Sequence, residues 1–98
     1  MVEVRTTETF IQWFRKLKDR RSRAKIQARI DRMSLGNFGD VAPVGEGVSD
    51  MRVFYGPGYR VYFIQQGESI VVLLAGGTKG GQQADIEKAK TLAKALGD

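Results

Sequence analysis

The sequence predicts a single α+β domain in the order β-α-α-β-β-β-α: an antiparallel sheet with a helical hairpin packed on one face and a C-terminal helix. Three observations carry this expectation. Apolar residues recur at helical spacing in three separate segments, and strand-like runs broken by Gly-rich turns follow one another in the second half of the chain. The chain's 98 residues suffice for one modest hydrophobic core, so residues 1–98 are read as one domain.

The elements are justified in order. Val2 and Val4 alternate with Glu3 and Arg5, which marks a short strand that joins an edge of the sheet. Thr6 and Thr7 are N-cap residues by type, and Glu8 suits the positive end of a first helical turn. Phe10, Trp13, Phe14 and Leu17 then follow at i, i+3, i+4 and i+7, the inner face of an amphipathic helix. That spacing puts Trp13 in the core rather than on a base-stacking surface. The apolar phase slips near Lys18-Asp19-Arg20 and resumes at Ile26, Ile30 and Met33, so a second helix is expected from about Arg20 to Leu35, capped by Gly36 and Asn37.

Residues Gly39 to Gly47 read as loop because they contain Pro43 and several glycines. Met51 to Tyr55 and Tyr59 to Gln65 read as the strands of a hairpin around Gly56-Pro57-Gly58, and Ser69 to Ala75 as a central strand covered on both faces. Gly76 to Gly81 reads as a Gly-rich loop, and Asp85 and Glu87 as the opening of the last helix.

Composition narrows the chemistry. The chain has no cysteine and no histidine, which removes disulfides, thiolate or imidazole metal sites and every nucleophile pair that needs them. No metal and no cofactor are expected. The N-terminus lacks the apolar core of a secretion signal, and Ile70 to Ala75 is too short to cross a bilayer, so a cytoplasmic protein without membrane association is expected. Nine cations and two anions lie between Arg15 and Arg32, a local charge of +7 within a net +5. Such a field favours a polyanion, and Lys18, Arg20, Arg21, Arg23 and Lys25 are the candidate RNA-binding residues. A solvated helix face is the plain alternative for the same charge run.

The hairpin holds the second constellation. A three-residue turn over Gly56 to Gly58 pairs Tyr55 with Tyr59, Phe54 with Arg60 and Arg52 with Tyr62. Arg52, Arg60 and Tyr62 then share an exposed face, while Val53, Val61 and Phe63 face the helices. Lys79, just beyond the next strand, is expected to reach the same face, beside glycines that permit close backbone approach to a phosphate. Two arginines, a lysine and a tyrosine suit RNA cleavage, in which the RNA's own 2′-hydroxyl is the nucleophile. The protein then positions the strand, stabilises phosphate charge and moves protons. Arg and Tyr on an exposed sheet face are also common without any function.

The stretches Met51-Arg52-Val53-Phe54-Tyr55-Gly56-Pro57-Gly58-Tyr59-Arg60-Val61-Tyr62 and Leu73-Leu74-Ala75-Gly76-Gly77-Thr78-Lys79-Gly80-Gly81-Gln82-Gln83-Ala84-Asp85-Ile86 resemble the RelE/HigB toxin superfamily, and within it the phage-Gp49-like "addiction module killer" branch. The Phe10, Trp13 and Leu17 helix and the Gly36-Asn37-Phe38-Gly39-Asp40 segment fit that branch as well. The resemblance implies a RelE-like fold and a toxin of a type II toxin–antitoxin module. Its activity would be ribosome-dependent cleavage of mRNA, which inhibits translation, and its partners the ribosome, mRNA and a protein antitoxin. It maps Arg60 and Lys79 onto the family's basic site positions and Arg52 onto them more loosely, with Tyr62 or Tyr59 left to stack a base or assist proton transfer. RelE itself has an arginine after the lysine and a tyrosine near the last helix; Gly80 and Ile86 lie there in this chain. Two further readings share the same fold: a ParE-like inhibitor that binds DNA gyrase, and a non-catalytic member that binds an antitoxin.

Overall fold

The structure, a computed structural model, describes residues 1–97. Strand β1 (Glu3–Thr6) leads into helices α1 (Glu8–Lys16) and α2 (Arg20–Ser34). Strands β2 (Val41–Gly45), β3 (Val48–Val53), β4 (Tyr59–Gln66) and β5 (Ile70–Thr78) follow, then a 3₁₀ turn (Lys79–Gly81) and helix α3 (Gln82–Gly97).

The strands form one sheet in the order β1-β5-β4-β3-β2. β2 to β5 run antiparallel in sequence, whereas β1 lies parallel to β5, Glu3 opposite Ile70 and Thr6 opposite Leu73. The sheet is therefore mixed, not antiparallel throughout. Two helices and three strands separate β1 from β5 along the chain, which allows a parallel pairing that a tight turn cannot make.

The first departure from the sequence reading is β2. The segment read as loop pairs with β3 through a two-residue turn, Glu46-Gly47, both with positive φ (55° and 80°). That is the turn family whose twist matches a hairpin, but it favours Asn or Asp before Gly, and glutamate hides the signal. Lys90 and Lys94 of α3 hold Glu46 at 3.6 and 3.4 Å. Pro43 is tolerated because β2 is an edge strand with no second neighbour requiring its missing N–H.

The helices form where their caps and apolar faces place them. Thr7 Oγ1 accepts from the Phe10 backbone N–H at 3.1 Å, and the Asp19 carboxylate accepts from the Arg21 N–H at 3.1 Å. At the end of α2, Gly36 adopts φ 92° and its N–H reaches the Met33 carbonyl at 2.9 Å, while the Asn37 N–H reaches the Arg32 carbonyl at 2.9 Å. This paired closure needs a residue free to be left-handed.

Two apolar layers flank the sheet. Phe10, Ile26, Ile30 and Met33 from the helix pair pack on Met51, Val53, Val61, Phe63, Val71 and Leu73. On the other face, Ala89 of α3 packs on Val48, Tyr62, Val72 and Leu74. The buried run Val71–Ala75 of β5 serves both layers, as its unbroken apolar character predicts.

The second departure concerns Gly76 and Gly77. They are not loop residues. They continue β5 opposite Val61 and Arg60 of β4. A Cβ on Gly76 would sit 2.3 Å from the Trp13 ring, and one on Gly77 would sit 1.9 Å from the Asp85 carboxylate. Both glycines are therefore steric requirements of the helix packing, and Trp13 belongs to the core face as its spacing predicts. Gly76→Ala should destabilise the fold by about 1–3 kcal/mol through overpacking. In a Trp13→Leu background most of that penalty should vanish, because the clashing ring is gone; a urea double-mutant cycle measures the coupling.

Candidate functional site

The β3–β4 connection is a five-residue loop, Phe54 to Gly58, not a three-residue turn. Arg52 lies opposite Arg60, Val53 opposite Tyr59 and Asp50 opposite Tyr62. The register differs from the expected one by two residues. A shift of two keeps every side chain on its face, so Arg52, Arg60 and Tyr62 remain on one side of the sheet. That side is not open, however. Helix α3 covers it, and Tyr62 is fully buried in the α3 layer.

A buried carboxylate organises the two arginines. Asp50 has no exposed surface, and its Oδ2 accepts from the Arg60 Nη1 at 2.6 Å. Its Oδ1 faces the Arg52 Nε at 3.5 Å. The Arg60 side chain is only 14% exposed and the Arg52 side chain 37%. A buried ion in this position needs its partner, since an unpaired carboxylate is costly in an apolar setting. Asp50 is not among the site residues that the sequence marks. The available signal was its place two residues before Arg52 in a strand, which puts a carboxylate and a guanidinium on one face.

The open edge of this cluster is a groove of ≈ 360 Å³. Arg52, Phe54, Tyr55, Pro57, Arg60 and Lys79 contribute to its walls. Lys79 is exposed and is anchored by its backbone, whose N–H donates to the Gly58 carbonyl at 3.0 Å. Three cations against one carboxylate leave the groove with a charge of about +2 at neutral pH. A larger cleft of ≈ 590 Å³ between β1 and the last turns of α3 includes Leu92 and Leu96 and none of the site residues expected from sequence. Among the described residues no group of three or more acidic side chains is placed to hold a metal ion, and no helix is long and apolar enough to cross a membrane.

No protein-family model matches this sequence. The chain is 48% identical over 96 residues to an uncharacterized protein of Haemophilus influenzae strain Rd, an alignment that covers 98% of this chain and 97% of the relative. The chain belongs to that protein's family. The match spans the sheet, the helices and the groove alike, so both proteins are built on one domain plan.

Of the two tyrosines expected at the site, Tyr59 borders the groove and Tyr62 does not. Tyr59 is buried on the helix-pair face, where its hydroxyl donates to Ser22 Oγ at 2.9 Å and Ser22 donates in turn to Asp19 at 2.9 Å. Only its ring borders the groove. Tyr62 lies beneath α3, and its hydroxyl has no hydrogen-bond partner among the described residues. Burial first, then the nearby Asp85 and Asp50 carboxylates, push its phenol up to about 12. A phenol held neutral and out of solvent is unsuited to proton transfer near neutral pH. Burial likewise raises the Asp85 carboxyl above the usual carboxylate range. Phe54 and Tyr55 also line the groove, and the Lys25 ammonium of α2 sits 5.7 Å from the Tyr55 ring centroid.

The basic run divides into two kinds. Lys18, Arg20, Arg21 and Lys25 are exposed. Arg23 is half-buried and donates to the Leu17 carbonyl at the end of α1, and Arg29 bonds the Arg52, Phe38 and Asp40 carbonyls. These two arginines pin α2 to its neighbours and are not free for a ligand. Burial lowers the Arg29 guanidinium, yet it remains a cation.

Tyr62 gives a pH test of this placement. Its folded value lies above the unfolded value of about 10, so the neutral phenol is favoured by folding. The stabilisation is fully present below pH about 10 and is lost as pH rises toward 12. Tyr62→Phe should be near neutral in stability at pH 7, because it removes an unpartnered hydroxyl. It should also lose stability less steeply than the wild type between pH 10 and 12 in denaturant titrations.

Proposed function

We propose that this protein is the toxin of a type II toxin–antitoxin module, a ribosome-dependent mRNA endoribonuclease of the RelE/HigB kind with a RelE-like fold. The observation that supports the reading best is the gathering of Arg52, Arg60 and Lys79 around one cationic groove. These are the basic positions that the hairpin and Gly-Gly-x-Lys resemblance marks. In the proposed mechanism the 2′-hydroxyl of the mRNA gives its proton to solvent water and its oxygen attacks the adjacent phosphate. The bond from phosphorus to the 5′-oxygen breaks, and the departing 5′-oxygen takes a proton from water, leaving a 2′,3′-cyclic phosphate. Arg60 and Lys79 stabilise the charge that develops on the phosphate oxygens, and Asp50 fixes the direction of the Arg60 guanidinium. Tyr62 takes no part in proton transfer. Lys18, Arg20, Arg21 and Lys25 contact ribosomal RNA, and a protein antitoxin neutralises the toxin in the cytoplasm.

Induced expression followed by mapping of mRNA 5′ ends tests the reading. Cuts inside translated codons are expected. Continued translation with failing DNA supercoiling would instead favour the gyrase-binding alternative. Lys79→Ala is the cleanest variant because the side chain is exposed. It should lower translation-coupled cleavage about 10²–10³-fold and leave the melting temperature unchanged. Arg60→Ala is a poorer test, since it also strips the buried Asp50 of its close partner. Arg60→Lys keeps that charge pair but loses the two-pronged phosphate contact, and should cleave more slowly at near-wild-type stability.

The exposed cations give a separate test. Replacing Arg20 and Arg21 together by Glu should weaken ribosome binding and flatten its dependence on salt, because fewer phosphate contacts release counterions. Binding unchanged in this variant would return the basic run to a solvated helix face.

A further inference from the structure

We propose that Phe54 is the stacking platform for an unpaired base of the bound RNA, an assignment that rests on the nucleic-acid reading above. Of the chain's nine aromatic residues, eight are buried or half-buried, and Phe54 alone is 81% exposed. Nothing in the fold requires an exposed ring there. Phe54 lines the groove that carries Arg52, Arg60 and Lys79.

The loop that presents it is held firmly. The Tyr55 N–H bonds the Val53 carbonyl at 3.0 Å, the Gly58 N–H bonds the Tyr55 carbonyl at 3.0 Å, and the Lys79 N–H bonds the Gly58 carbonyl at 3.0 Å. Gly56 and Gly58 adopt φ of 57° and 82°, which close the turn tightly. The backbone of the loop is therefore tied to the strand before it and to Lys79 beyond β5.

A nucleotide carries a charged phosphate on one side of its sugar and a flat apolar base on the other. The groove matches both halves at once. Its volume, ≈ 360 Å³, lies near the lower end of the range for small-ligand sites, about 300–1,000 Å³. A groove of that size suits one splayed-out nucleotide. Phenylalanine has no polar atom, so the platform reads no base edge. It holds whichever base is unpaired, and leaves base choice to other contacts.

The test uses bacterial ribosomes programmed with an mRNA that bears 2-aminopurine in the vacant A-site codon. A 2′-deoxy sugar at the scissile nucleotide prevents cleavage. Wild-type protein should quench the probe on binding. Phe54→Ala should bind these ribosomes about ten- to hundred-fold more weakly and lose the quench, with its affinity for ribosomes lacking mRNA and its melting temperature unchanged. Phe54→Trp should restore both affinity and quench. Wild-type protein that binds no ribosome would sink the ribonuclease reading and the platform together. Ribosome binding with undiminished affinity and quench in Phe54→Ala would overturn the platform alone and leave the exposed ring to a protein partner. Equal losses on programmed and empty ribosomes would also overturn it, because stacking acts only where a base is present.

Discussion

Near its C-terminal end strand β5 has no space for a side chain on either face. The Trp13 indole lies against Gly76 from one side and the Asp85 carboxylate against Gly77 from the other. Through these two close approaches both helical layers are set relative to the sheet. Helix α1 carries Trp13 and is keyed to the strand by it. Helix α3 begins just after the strand, and Asp85 seats its first turns. Lys79 emerges between them, at the one place from which it borders the groove. A bulkier strand end would lift one helix or the other and carry the lysine away with it.

The electrostatics of the groove rest on Asp50. Two guanidinium groups and an ammonium on one short stretch of sheet repel one another, and a buried carboxylate relieves that repulsion while leaving a net positive surface. The arrangement trades cationic strength for direction. Arg60 is tied to a buried partner, and Lys79 supplies an exposed charge. A site built on preorganised donors benefits from such rigidity, because no reorientation is required when a negative charge develops.

Much of this was legible in the sequence, for reasons that are physical. The apolar phases of Phe10, Trp13 and Leu17, and of Ile26, Ile30 and Met33, report helices with one buried face, and both helices form there. The faces of Arg52 and Arg60 survived an error of two residues in the hairpin register, because strand alternation depends only on parity. Other features are long-range and leave no local mark. Glycines at 76 and 77 look like a loop until the ring and carboxylate that press on them are known. The β2–β3 hairpin hides behind a glutamate in its turn and a proline on its edge. Tyr62 was placed on the correct face of the sheet, but a helix lies over that face, and alternation alone does not say which face is covered. Asp50 has no local signature, because a lone carboxylate in a strand is ordinary until two arginines converge on it.

The parallel pairing of β1 with β5 has a temporal side. Thr7 bonds the Leu74 carbonyl, a partner 67 residues further along the chain. During synthesis the first strand and the aromatic face of α1 therefore wait, without their sheet, until the last strand has been made. The groove is bounded by Lys79, which follows that strand directly, so it comes into being only when the architecture is nearly complete. A chain interrupted before that point has its basic residues but not its groove, and an unfinished copy carries charge without a site.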